Sequence, residues 1–374
     1  MNHEKLTVDR WGDVIVSPGE TKDVEVRFSE SYSGMNLNIP IQIRRGIEPG
    51  PTIFITAAVH GDEINGTGAI RRLITEESIQ LKKGNLILVP VVNVLGFERH
   101  SRYLPDRRDL NRSFPGSAKG SQTSRMARFV FEQIVSRSDF GIDLHTASVR
   151  KTNFPNVRAD LSNPDLVKLT HAFGCPLTIN DAGPEGSLRR SACDAGCPTF
   201  ILEAGEVWKV ESSVTEQSVR GLKNVFISLG MIDGEVEVPP YRTIIESTRW
   251  VRSDTAGFLQ FHVAPGDFVS TGSPIVTTSS LLGQVRQVIE STEDGIILGM
   301  TTLPMTAPGE PVCHIGLINK GQSRMEKVVD QLPNEALQLR LRNDLSTSFN
   351  VTEVADFVED PPDDVPEPSE DEIL

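Results

Sequence analysis

The 374-residue sequence predicts an α/β protein, a mixed, mostly parallel sheet flanked by helices with a small β module behind it. Three observations predict this. Four short apolar runs recur between residues 51 and 203, helical patterns lie between them, and the sequence turns strand-and-turn rich near residue 240.

The runs come in order as PTIFITAAV before His60, NLILVPVV before Asn93, FGIDL before His145 and PTFIL before Glu203. Apolar runs this short and this continuous read as strands buried on both faces. Between them Gly66–Glu77 and Thr123–Ser136 place apolar residues three and four apart, the spacing of an amphipathic helix. Polar, Gly/Pro-rich stretches at 104–122 and 180–198 read as long loops, which in a compact domain are usually functional. Ligands of open α/β sheets bind just beyond the carboxyl ends of the strands. Four polar residues of chemical interest stand at four such ends.

Glu235-Val-Glu-Val-Pro-Pro240 reads as a linker, and the stretch around Gly266-Asp-Phe-Val-Ser-Thr-Gly-Ser-Pro-Ile275 reads as short strands joined by turns. It resembles the barrel-sandwich β domain of lipoyl and biotinyl carriers. A carrier needs a modifiable lysine, and none occurs from Asn224 to Asn319, which excludes that role. The expected organisation is a catalytic α/β domain over 1–240 with an N-terminal β segment, a barrel-sandwich-like β domain over 241–319, a helical extension over 320–350 and an acidic tail over 351–374. The tail holds ten acidic residues and no Lys or Arg, so most of the net charge of −14 belongs to it. Such composition cannot bury enough apolar surface to order itself.

An acidic chain offers no electrostatic footprint for nucleic acid, and no apolar run reaches the ~20 residues of a membrane span. The opening MNHEKLTVDRWGDV lacks an apolar signal segment, and four scattered cysteines make no disulfide framework. A cytoplasmic protein is expected, with self-association left open.

The sharpest motif is His60-Gly-Asp-Glu63, followed 82 residues later by His145. Catalytic zinc takes three protein ligands from His and carboxylate and keeps a fourth position open. His60 and Glu63, three apart on a turn, and His145 from another strand fit one zinc ion per chain. Gly61 is expected to let the backbone turn sharply. Asp143 reads either as a partner orienting His145 or as a buried Asp bonded to backbone. In Asp109-Leu-Asn-Arg112, the adjacent Asn111 and Arg112 suit a substrate carboxylate through a bidentate guanidinium and an amide donor. Cys193 and Cys197 read as small buried hydrophobes, and His100, His262 and His314 have no ligand partner at sensible spacing.

Taken with Asp143-Leu-His145 and Glu203-Ala-Gly205, these motifs resemble the succinylglutamate desuccinylase/aspartoacylase family of zinc carboxypeptidase-like enzymes over roughly residues 50–210. The resemblance implies Glu203 as the catalytic acid–base and an arginine that polarises the scissile carbonyl. Arg102, in Arg102-Tyr103, fits the family pattern. A longer insert before Asp109 leaves Arg107 and Arg108 as alternatives. Asn93 is expected to shape the substrate pocket. The implied activity is zinc-dependent hydrolysis of an amide bond in an N-acyl amino acid. The alternatives are a metallocarboxypeptidase acting on short peptides and a non-catalytic zinc-binding interaction protein.

Overall fold

The structure, a computed structural model, describes residues 7–31, 33–76, 79–318, 321–346, 349 and 351. The acidic tail expected over 351–374 therefore lies, apart from Val351, outside the described residues, as does Glu77 of the first predicted helix.

All four apolar runs are strands: Glu48–Ala57, Lys83–Val89, Phe140–His145 and Thr199–Glu206. They lie side by side and parallel, with Glu48–Ala57 between Lys83–Val89 and Phe140–His145, and Thr199–Glu206 beyond. Parallel neighbours need long crossovers, and the helices Asn65–Thr75 and Gln122–Gln133 fall within them where the periodicity predicts helix. The strand order reverses at Glu48–Ala57, so its carboxyl end and that of Phe140–His145 flank a switch-point crevice. Antiparallel strands extend both edges. Asn36–Arg45 and Thr21–Glu30 follow Lys83–Val89, and Lys151–Ala159 follows Thr199–Glu206. The result is one large mixed sheet, parallel at its centre.

Strict alternation decides what each central strand gives to each face. Ile53, Ile55, Ile142, Leu144, Phe200 and Leu202 pack on one side against Ile70, Leu73, Phe173 and Phe226 of the helices Asn65–Thr75, Pro164–Phe173 and Ser212–Ser228. Phe54, Ile87 and Val89 pack on the other side against Met126, Val130 and Ala192. Each such fully buried side chain contributes ~1.5–3 kcal/mol, so the apolar positions lock the register. That register aims Asp143, His145 and Glu203 away from the first core, at the carboxyl end of the sheet.

The sequence after residue 240 forms strands, in two settings. Gly257–Phe261, Pro274–Ser279, Val285–Glu290 and Met305–Thr306 make a separate four-stranded antiparallel sheet. Gly295–Thr301, Pro311–Leu317 and Thr248–Arg252 instead continue the large sheet from Lys151–Ala159. An open edge at Lys151–Ala159 would leave a row of unpaired backbone groups, and these strands cover it. The helices Gln322–Asp330 and Leu337–Ser346 follow.

The expected loop 180–198 needs a correction, because it holds the helix Leu188–Asp194. Seven residues are too few to register a period, but Ser187 caps it, accepting from the Arg190 N–H. Within 104–122 a single 3-10 turn, Leu110–Arg112, is capped by Asp109. Among the described residues, no helix is long and apolar enough to cross a membrane.

Candidate metal centre and active-site cleft

The tight turn leaving Glu48–Ala57 carries His60 and Glu63, with the Glu63 N–H donating to the His60 carbonyl at 3.1 Å. Gly61 sits at this turn for a reason other than backbone conformation, since its φ is not in the left-handed region. A Cβ there would lie 2.1 Å from the Gly96 carbonyl carbon and 2.2 Å from the Phe97 nitrogen. The glycine lets the 96–101 segment pack directly on the turn.

His145 ends its own strand, and one donor atom from each of His60, Glu63 and His145 lies within 4.8 Å of the others. All three side chains are buried. The Nδ1 atoms of both imidazoles face the Glu63 carboxylate, at 2.7 Å for His60 and 2.8 Å for His145. Both Nε2 atoms are taken elsewhere: His145 contacts Asp143 at 2.7 Å and His60 contacts Asp109 at 3.1 Å. Of the two sequence readings of Asp143, the carboxylate–histidine pairing is the one formed. Its other oxygen accepts from the Thr56 hydroxyl at 2.8 Å. An unpaired buried carboxylate would cost several kcal/mol, and two donors meet that cost here.

These contacts fit a divalent metal. The buried His60 Nδ1 has a Glu63 oxygen 2.7 Å away yet no partner in hydrogen-bond geometry. Two imidazole nitrogens and a carboxylate oxygen, each imidazole oriented through its other nitrogen, are the donor set and supporting shell of catalytic zinc. Burial by itself would depress both histidines and raise Glu63. The charges facing each other outweigh it, so His60 is raised, His145 is raised well above its usual value, and Glu63 is held well below the carboxylate range.

The triad opens into a cleft of about 390 Å³, also lined by Arg102, Asn111, Arg112 and Glu203. Glu203 stands beside His145 in register across the parallel pair and accepts from the Asn153 amide at 3.2 Å. Arg102 lies over the triad, donating to Glu63 at 3.0 Å and Asp109 at 3.1 Å. Asn111 accepts from the Leu188 N–H at 2.8 Å, which spends its carbonyl end. Arg112 is exposed and donates to the Asn111 carbonyl at 2.6 Å.

Other sequence candidates fall outside. Arg107 and Arg108 are exposed and do not line the cleft, leaving Arg102 as the arginine of the three at the triad. Asn93 is fully buried, and both ends of its amide go to backbone, accepting from Gly96 N–H and donating to the Arg102 carbonyl. It steadies the loop that presents Arg102 without reaching the cleft.

The far half of the cleft was missed by the sequence reading. Lys151, Asn153 and Arg158 line it from one strand, with Asp181, Arg189, Trp250 and His314. A signal existed in Lys151-Thr-Asn-Phe-Pro-Asn-Val-Arg158, whose polar residues interrupt an otherwise buried strand. Trp250 and His314 carried no signal, since only strand pairing brings the β module to the site.

Comparison with known proteins agrees with this geometry. The profile of the "Succinylglutamate desuccinylase/Aspartoacylase catalytic domain" matches residues 49–229. An N-alpha-acetyl-L-2,4-diaminobutyric acid deacetylase of Halomonas elongata is 30% identical over 253 residues, covering 63% of this chain and 72% of the relative. In fold, the chain is similar to an ectoine utilization protein of Ruegeria pomeroyi in a product-bound structure, with TM-score 0.72 and 22% identity over 82% of this chain and 98% of that one. It is also similar to a succinylglutamate desuccinylase/aspartoacylase of Rhodobacter sphaeroides, with TM-score 0.70 and 23% identity over 80% and 96%. The matched span contains the whole histidine–glutamate–histidine triad, the cleft arginines and Glu203, and with the relative's identity and coverage it leads to one conclusion: the chain belongs to the succinylglutamate desuccinylase/aspartoacylase family.

Proposed function

We propose that this protein is a zinc-dependent deacylase, hydrolysing the amide bond of an N-acyl amino acid or a related small carboxylate. One observation carries the reading: both buried imidazoles turn Nδ1 toward Glu63 while Asp143 and Asp109 hold their Nε2 atoms. A structural histidine has no need of that arrangement. The cleft of about 390 Å³ sits near the lower end of the ~300–1,000 Å³ range of small-molecule sites, which favours a small substrate over a peptide.

His60, Glu63 and His145 would hold one zinc ion. When bound, it supplies Lewis acidity and lowers the pKa of water towards ~7. Glu203, one strand over from His145, takes a proton from the attacking water and returns it to the departing nitrogen. Arg102 directs its guanidinium to the carbonyl oxygen as negative charge builds there. Asn111 and Arg112 receive the substrate carboxylate. A carbon–oxygen bond forms, the carbon–nitrogen bond breaks, and an acid and an amine leave. The relative that deacetylates an N-acetyl amino acid supports this substrate class.

The test is a screen of zinc-loaded protein against N-acyl amino acids and short peptides by mass spectrometry, with His145→Ala as control. Turnover of acyl-amino acids is expected, with zinc and activity both lost in the control. Full zinc in the control, or peptide cleavage alone, overturns the reading.

A further inference from the structure

Glu203, the base of the proposed mechanism, has to hold its carboxylate at one angle to the attacking water, and a base is held only when its rotamer is locked from outside. Among the described residues a single donor reaches that carboxylate, the Asn153 amide, 3.2 Å from Oε2. A carboxylate only accepts, so the end of Asn153 that faces it is the NH2 group. Oε2 is thus tethered, while Oε1 accepts no hydrogen bond from a described residue. Both side chains line the cleft.

The sheet brings Asn153 there through two irregularities. Glu203 is in register with Asn156 and Gly205 with Asn153, so two steps along one strand face three along the other. The extra residue is a β-bulge, which next to a site re-aims a side chain. In a regular strand, residues three apart would point to opposite faces. Here both turn to Glu203: Asn156 donates to its backbone carbonyl at 3.4 Å, and Asn153 donates to its carboxylate. On the other side of Asn153 stands Gly299, in register with it and with His314, where the strand Gly295–Thr301 carries an extra residue of its own. A Cβ on Gly299 would lie 2.4 Å from the Asn153 side-chain oxygen and 2.7 Å from the Thr152 carbonyl oxygen. Its φ is not in the left-handed region, so close approach rather than backbone freedom requires glycine here.

We propose that Asn153 is the positioning residue of Glu203, and that Gly299 of the β module sets the Asn153 amide in place. A hydrogen bond to a charged acceptor is the stronger class, and this one fixes one carboxylate oxygen while leaving the other for the proton. Asn153 acts through Glu203 and carries no proton itself, since a side-chain amide does not titrate. Gly299 lies outside the 49–229 family match, so the module contributes to the site by making room: the Asn153 oxygen sits where a side chain would be. Of the two atoms a methyl would meet, the Thr152 oxygen is backbone and the Asn153 oxygen ends a side chain. The amide is the part that yields, and yielding swings it away from Glu203.

The inference rests on the deacylase reading, and the assay separates the two. Full-length zinc-loaded protein is given the best-used member of a panel of N-acetyl amino acids and N-succinylalanine, and kcat, KM and zinc content are measured. Asn153→Asp keeps the shape of the side chain and removes the donor, so kcat should fall by about tenfold or more, with KM within about twofold and zinc unchanged. Asn153→Ala should fall as far. A side chain that only filled space would tolerate Asp, so a kcat within about twofold of wild type in Asn153→Asp overturns the proposal. A loss that falls on KM or on zinc content instead of kcat also overturns it. Gly299→Ala should lower kcat by about fivefold or more. In the Asn153→Ala/Gly299→Ala variant kcat should match Asn153→Ala within about twofold, because the methyl then has no amide to displace. Losses that multiply in the double variant overturn the role of Gly299. If Gly299→Ala does not fold, Asn153→Asp decides alone. No turnover of any panel member by zinc-replete wild type overturns the deacylase reading and this role together; turnover that survives Asn153→Asp overturns the role and leaves the reading standing.

Discussion

Replacing Asp143 tests whether the imidazole of His145 is oriented for a metal. The carboxylate accepts two bonds, from His145 Nε2 at 2.7 Å and from the Thr56 hydroxyl at 2.8 Å, in a fully buried position. Asp143→Asn keeps the shape. Its carbonyl oxygen can face His145, while its amide faces a Thr56 hydroxyl that turns to accept. The charge is what is lost. A bond to a charged group is worth ~1.5–3 kcal/mol and a neutral one ~0.5–1.5, so the change costs about 1–1.5 kcal/mol, or roughly 5–15-fold in zinc affinity. That range overlaps the lower end of the ~10–100-fold effect of residues supporting metal ligands. Asp143→Ala removes both bonds and strands two buried donors at ~1–3 kcal/mol each, so its affinity should fall by about 30-fold or more. The assay is competitive zinc titration against a chromophoric chelator at fixed pH, on variants first shown to be folded by circular dichroism. The expected order is wild type, then Asn, then Ala. Affinities within about twofold for all three, or Ala no weaker than Asn, would refute the orienting role.

Two further outcomes follow from the site. On the proposed mechanism, Glu203→Gln should keep zinc and lose ~10²–10⁴ in kcat, because it would remove the proton carrier; Arg112→Ala should instead raise KM, because it would remove a contact to the substrate carboxylate. Near wild-type kcat in the first variant would show that another group carries the proton, though Glu206 is already occupied by Lys209 at 2.5 Å and Thr302 at 2.8 Å. Gly61→Ala should destabilise the fold by about 1–3 kcal/mol and weaken zinc binding, because the added methyl meets backbone that cannot rotate away. Thermal unfolding checks it, and an unchanged melting temperature would mean that the 96–101 segment does not press on the turn as described.

Local chemistry made the triad legible in the sequence. His60, Glu63, His145 and Glu203 each follow an apolar run, and such runs can only be strands of a buried sheet, so their ends had to gather at one rim. The parallel centre and the helices Asn65–Thr75 and Gln122–Gln133 were legible for the same reason: burial imposes a period that one segment displays alone. Arg102 was preferred to Arg107 and Arg108 only through the family resemblance, for by local chemistry alone three arginines in one loop differ only in where the loop turns them. Gly61 was read correctly as a special position for the wrong reason. Its role is contact with residues 96–101, a tertiary fact. Asn93 ended a strand like the others yet turned into a helix cap. Least visible was the far wall of the cleft. Trp250 and His314 sit more than 40 residues beyond Glu203 in ordinary strand sequence, and nothing local marks them. Their place beside the site depends on which open sheet edge their strands cover, and edge pairing is made by backbone groups that every residue carries alike.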